Sequence, residues 1–308
     1  MFQAWPNHTF NRTLRGVPSL GQNSSPNSAR RKVPVNFYVR PQKLTTASLP
    51  NISAEDLKIL RILDEESSSY YRNCFRSAIS HLDRAYQIST IDPEMAIFRA
   101  ITAEEEAASG LMQSLIQLRY PKHESLRPRD HVQKHAVVPF IQAVLSHLSF
   151  LRFPDIHGIS LAIKKVEGKD RLVTAFGVNL NDELHWATPE PPLNLSVRDG
   201  NTGENPSYVV DIQRVIAPKG YRNILRFLQR EANLRNTILY AGPDGYPVVD
   251  KFDDRFIFER QARVLLILKA TLLISPYAEH QPFVINAISA FIRITNRISS
   301  PKSAKPEA

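Results

Sequence analysis

Between Asp92 and Tyr120 apolar residues return every three to four positions. At about 100° per residue Ile97, Phe98, Ile101, Ala108, Leu111, Met112, Leu115 and Ile116 fall in one sector of a helical wheel. Asp92 is placed to cap the free amides of a first turn, Pro93 suits the first helical position and Pro121 ends the run, so the pattern predicts a core-facing helix. Glu104 and Glu105 lie within about 50° of the centre of the apolar sector, whereas Glu106 points the opposite way. A buried carboxylate is costly alone. Glu104 and Glu105 are therefore expected to be paired, hydrogen-bonded, protonated or set at the rim of a cleft.

The same periodicity organises the chain on either side. Ser53 and Asp56 have capping-box spacing ahead of Leu57, Leu60 and Leu63. The triple serine 67–69 is a break, after which Tyr71, Cys74, Phe75, Ala78, Ile79, Leu82, Ala85 and Tyr86 form a stripe. That helix should pack antiparallel to the one after Asp92, because the connection is short. Beyond Pro121, Val132, Ala136, Val137, Phe140, Val144, Leu148 and Leu151 mark another helix, which Pro139 should kink or split. The period then shortens to two. Ile159, Leu161 and Ile163 alternate with polar or small residues, the EGKD sequence at 167–170 reads as a turn, and 171–180 reads as the returning strand. Leu193, Leu195 and Val197 repeat the alternation, DGNTG at 199–203 is a turn signal, and YVVDI at 208–212 reads as a further strand. From Gly220 the helical period resumes, with helices expected up to Ala241, over 255–274 and over 278–298.

These elements predict a mainly α protein with a small antiparallel β segment (α+β), a helical bundle carrying a β insertion or a second domain. The expected divisions are a basic disordered or extended arm at 1–50, a helical bundle at 53–152, the β segment at 156–215, C-terminal helices at 219–298 and a frayed tail at 299–308. Composition adds little to the fold, since 43% apolar and 22% charged residues in 308 are ordinary for a globular chain. Charge changes the picture more. Residues 1–50 hold Arg12, Arg15, Arg30, Arg31, Lys32, Arg40 and Lys43 and no acid. The other 258 residues then have 39 − 7 = 32 basic against 30 acidic groups, so most of the net +9 belongs to the arm. Arg30, Arg31 and Lys32 are its densest cluster and the candidate phosphate-binding positions. The single cysteine, Cys74, excludes an intrachain disulfide and a cysteine zinc site and fits a reducing, cytoplasmic setting. The apolar runs at 262–274 and 283–292 are too short or too interrupted to span a bilayer.

Four constellations carry candidate chemistry. In RDHVQKH, residues 129–135, Arg129 could steady a phosphate and His135 could shuttle a proton near neutral pH. Those are the two groups needed to cleave RNA through its own 2′-hydroxyl without a metal. With a polar Asp130 after Arg129, the AEEEA run at 103–107 and a long-helix pair ahead of the motif, residues 67–152 resemble the HEPN superfamily. That resemblance implies an all-helical domain, a metal-independent ribonuclease of toxin or antiviral systems, and an active site assembled across a homodimer. Arg129 would orient phosphate, His135 would be the general acid or base, and Glu104 or Glu105 would position one of them. A second echo of the family lies at LRNTILYAG, 234–242, where Arg235 and Asn236 match an Arg-Asn pair but Tyr240 stands where a histidine is expected. His131 and His135, four apart, share a helix face and with Glu104 or Glu105 could ligate a metal, although a histidine pair without a fixed third ligand is a weak signal. Pro154, Asp155, Glu167 and Lys169 formally match the PD-(D/E)XK nuclease pattern, but Glu167 and Lys169 fall in a turn rather than on a strand.

Taken together the sequence predicts a protein without cofactor or metal that handles RNA or another nucleotide. Its expected state is a homodimer or a subunit of a larger complex, with Arg129, His135, Glu104 and Glu105 catalytic and Arg30, Arg31, Lys32, Arg235 and Asn236 binding. The competing expectation is a non-catalytic interaction or sensor subunit in which the glutamates are structural and the arm is a tether.

Overall fold

The structure, a computed structural model, describes residues 49–65, 69–150, 156–181, 183–199, 202–241, 245–249 and 252–299. The helices are α1 (Ala54–Glu65), α2 (Tyr70–Ile88), α3 (Pro93–Gln117), α4 (His131–Phe150), α5 (Val209–Ile216), α6 (Ile224–Leu239), α7 (Arg255–Leu272) and α8 (Pro282–Ser299). Between α4 and α5 lie β1 (Ile156–Val166), β2 (Lys169–Leu180) and β3 (Glu183–Ala187), an antiparallel sheet in the order β1-β2-β3. The fold is thus mainly helical with a small sheet, as the periodicities predict. Among the described residues no helix is long and apolar enough to cross a membrane.

α3 is the centre of the molecule because its sequence buries nearly its whole circumference. Asp92 caps it, accepting from the amide of Met95 at 3.0 Å, and Pro93 opens it. The apolar sector is buried at Ile101, Leu111, Met112 and Leu115, and a second face of small residues, Ala96, Ala100, Ala103, Ala107 and Gly110, is buried too. That face lets α2 approach closely. A Cβ on Gly110 would stand 2.8 Å from the Phe75 ring and 3.2 Å from the Tyr71 carbonyl oxygen, so only glycine fits there without a shift. Phe75 opposite Gly110 and His81 opposite Arg99 show that the two helices run antiparallel, as their short connection requires.

The other elements wrap the remaining sides of α3, and one apolar core continues through α1–α8 and reaches the sheet at Leu172. α4 runs unbroken through Pro139. Pro139 therefore does not split the helix. β1 and β2 form a hairpin whose turn residues, Glu167 and Gly168, both have positive φ (52° and 78°), the geometry that matches the twist of the flanking strands. Ile159, Leu161 and Ile163 sit opposite Phe176, Thr174 and Leu172 on one sheet face, and the core takes in Leu172 and Ile163 from it.

Two expected strands are absent. Leu193, Leu195 and Val197 alternate because they are packed on the core as unpaired chain, and the 208–212 segment opens α5 instead, burying Ile212 and Ile216 at helical spacing. The third strand is β3, whose five residues are all exposed and so leave no alternation to read. The polar residue Gln281, 0% exposed, ties the perimeter together. Its amide nitrogen donates to the Leu273 carbonyl at 2.9 Å, its amide oxygen accepts from the Leu193 amide at 2.6 Å, and its own backbone N–H donates to the Tyr120 hydroxyl at 3.2 Å.

Candidate functional site

The two acids aimed inward from α3 are both buried, and each is paired. Glu105 receives four nitrogens. Its Oε1 takes Nδ1 of His131 at 2.9 Å and Nε2 of His135 at 3.2 Å; its Oε2 takes Nζ of Lys134 at 2.9 Å and Nη1 of Arg235 at 3.5 Å. Glu104 receives Nη1 of Arg260 at 2.5 Å and Nη1 of Arg263 at 3.3 Å, and Glu231 on α6 takes the second arm of Arg260 at 3.2 Å. Four helices thus contribute to one polar belt: α3 the two central acids, α4 His131, Lys134 and His135, α6 Glu231 and Arg235, and α7 Arg260 and Arg263.

Local sequence explains each placement. Asp130 stands directly before α4 and its carboxylate accepts from the Gln133 amide at 3.1 Å, which fixes the start of the helix. His131, Lys134 and His135 then follow at i, i+3 and i+4, one face of one turn, and that face meets Glu105. Gln133, also buried, bonds back to the preceding loop through the Arg127 amide and the Ser125 carbonyl. Glu231 and Arg235 repeat the i, i+4 spacing on α6, and Arg260 and Arg263 the i, i+3 spacing on α7.

Burial alone would push the Glu104 carboxyl up, but the Arg260 and Arg263 guanidinium groups outweigh it and hold the group at about 2. Burial acts on Glu105 the same way and is overcome by hydrogen bonds from His135, Lys134 and His131 and by the Lys134 charge, leaving it far below the usual carboxylate range. Both acids are ionised. An ionised carboxylate only accepts, so Nδ1 of His131 and Nε2 of His135 must carry the hydrogens that face it. Glu106 on the far side behaves differently: burial raises it, with Lys134 and Glu105 nearby acting in opposite senses. Cys74 is pushed up to about 12 by burial and then by the Glu106 charge, and it packs as a small apolar residue. Lys219 is lowered by burial and by the neighbouring Arg263.

The belt gathers Glu104, Glu105, His135 and Arg235 from the positions singled out in the sequence. It leaves others outside. Arg129 is exposed in the turn before α4 with no hydrogen bond or ion pair among the described residues, so it does not meet His135, whose side chain is 1% exposed. His131 is the accessible imidazole, 42% exposed, with no partner for Nε2 among the described residues. Asn236 is exposed, and its side-chain amide donates to the Asn233 side chain at 3.4 Å. Arg30, Arg31, Lys32 and Asp155 lie outside the described residues; Glu167 sits in the β1–β2 turn as expected, whereas Lys169, expected in that turn, instead opens β2 opposite Val166. Among the described residues no group of three or more His, Cys, Asp or Glu side chains is arranged to hold a metal ion.

Lys134, Glu231, Arg260 and Arg263 were not singled out from the sequence. The signal for Arg260 was available, because it shares a helix face with Val264 and Ile267, so an arginine stands inside the apolar stripe of α7 just as Glu104 stands inside that of α3. A second carboxylate–imidazole pair, Asp211 and His147 at 3.2 Å, joins α5 to α4. Compared with protein-family models, curated proteins and solved structures, the chain matches none.

Proposed function

We propose that the chain is a HEPN-like protein that cleaves or handles RNA, or another phosphodiester, without a metal, and that His131 is the imidazole that meets the substrate. The supporting observation is the contrast between the two histidines on Glu105. His135 is sealed in the belt, whereas His131 turns Nδ1–H to the carboxylate and leaves Nε2 outward. In its neutral form that Nε2 carries the lone pair of a general base, oriented by a buried carboxylate. It would take the proton of a ribose 2′-hydroxyl as that oxygen attacks phosphorus, and a protonated imidazole would return a proton to the departing 5′-oxygen, giving a 2′,3′-cyclic phosphate. Arg129, two residues earlier and without an ion pair among the described residues, is the group to steady the phosphate, with Arg235 a second guanidinium held on Glu105. Recruitment of nucleic acid falls to Arg30, Arg31 and Lys32 of the arm, and the setting is a cytoplasmic homodimer or a larger complex of the toxin or antiviral-defence kind.

The test is incubation of the purified protein with a mixed labelled RNA pool in EDTA, beside His131→Gln and His135→Gln. His131→Gln is expected to lower cleavage on the order of 10²-fold or more while melting like the parent. If His131→Gln cleaves as well as the parent, the assignment fails. A second reading, a non-catalytic interaction subunit, is supported by the occupancy of both Glu105 oxygens and of Glu104 by protein cations, which makes these acids structural. Under it no RNA is cut and Glu105→Ala alters stability or assembly.

A further inference from the structure

The C-terminal half of α3 borders a cavity of about 210 Å³ that no part of the polar belt reaches. Its walls include Leu111 and Met112 of α3, Leu126 of the α3–α4 connection, the α4 face around Val144, Ile159 and Leu161 of β1, Phe176 of β2, Leu193 and Leu195 after β3, the end of α7 and the Ala287 face of α8. Among the described residues, every one that lines it but one is apolar. The exception, Thr174, already donates its hydroxyl to the Pro192 carbonyl. The rim is apolar as well, since Leu145, Ile159 and Leu161 line the cavity and are 48%, 43% and 37% exposed.

We propose that this cavity binds the alkyl chain of a small uncharged or head-out amphiphile, with the chain inside and any polar head in solvent. Three features select that occupant. An apolar cavity of roughly 150 Å³ stays dry and takes up benzene, so by proportion this one holds about eight non-hydrogen atoms. Among the described residues no charged side chain and no free hydrogen-bonding side-chain group lines it, which disfavours a nucleotide, a phosphate or a carboxylate in the interior. Its walls come from helices, strands and a loop set around one space rather than from two facing helices or a sheet edge, the geometry that a partner's helix or strand uses. The proposal does not depend on the role of His131.

The experiment is titration calorimetry of the full chain with straight-chain alcohols from 1-butanol to 1-decanol, beside Ala287→Phe and the milder Ala270→Leu, both of which fill the cavity from its wall. Each added methylene is expected to tighten binding about fourfold up to roughly eight carbons, after which affinity levels off. Ala287→Phe, or Ala270→Leu if the first variant does not fold, is expected to weaken 1-octanol binding at least tenfold. Absence of saturable binding, affinity indifferent to chain length, or unchanged binding by a folded filled variant overturns the proposal. So does sedimentation showing self-association that Leu145→Glu abolishes, which would assign this surface to a second copy of the chain.

Discussion

One helix meets two opposite environments. Around Glu104 and Glu105, α3 is ringed by charges that are all matched, and six residues further on, around Leu111 and Met112, it borders empty apolar space. The demanding half is the finished one. The two defects differ in kind rather than in size: an unpaired buried charge costs several kcal/mol at a single group and is relieved only by a counter-charge, so α4, α6 and α7 each bring cations, whereas at about 24 cal/mol per Å³ unfilled apolar volume of this size costs about 5 kcal/mol spread over many lost contacts.

That comparison can be broken at either end. Glu105→Ala leaves Lys134 and His135 buried without their shared acceptor, and is expected to destabilise the protein by about 3–5 kcal/mol in denaturant titration. An unchanged midpoint would mean the belt contributes nothing. Met112→Ala, on the same helix, is expected to cost about 2–3 kcal/mol, the low part of the range for buried methionine, because its side chain already faces empty volume. A loss as large as that of Glu105→Ala would erase the contrast. The most gradual effect is acid dependence, which is spread over more than two pH units. Glu104 ionises at about 2 in the fold against an ordinary value of 4.5, so between those values the unfolded chain binds more protons. Its contribution to stability is full above about pH 4.5 and lost as pH falls toward 2, by at most about 1.4 kcal/mol per pH unit. Arg260→Met is expected to move that loss to higher pH, while Met112→Ala keeps the parent's acid limb; melting curves from pH 5 to 2.5 decide it.

Helix boundaries were legible wherever chemistry marks them, as at Ser53, Asp92 and Pro93, and the inward aim of Glu104 and Glu105 was legible from the wheel. What satisfied them was not. Arg260 is 156 positions from Glu104, and nothing in local spacing pairs residues that far apart. The small-residue face of α3 was passed over because alanine and glycine add little to an apolar pattern while allowing the closest approach of α2. Two of the strand differences share a cause: period two marks one-sided burial, which Leu193 and Leu195 achieve without pairing and β3 does without; the third, at 208–212, is a short apolar run that opens α5. The Arg129–His135 spacing was right for a shared helix end, but the break before α4 puts one residue in solvent and the next turn of helix puts the other in the core.

Gln281 also sets an order of assembly. Its three partners, at Tyr120, Leu193 and Leu273, belong to segments that precede it by 161, 88 and 8 positions. A chain growing from its N-terminus can stack α2 on α3 early, since those contacts are local. The loop after α3 and the chain leaving the sheet are tied to a residue synthesised much later, the first to its backbone N–H and the second to its side chain, so making these contacts costs the entropy of closing long loops.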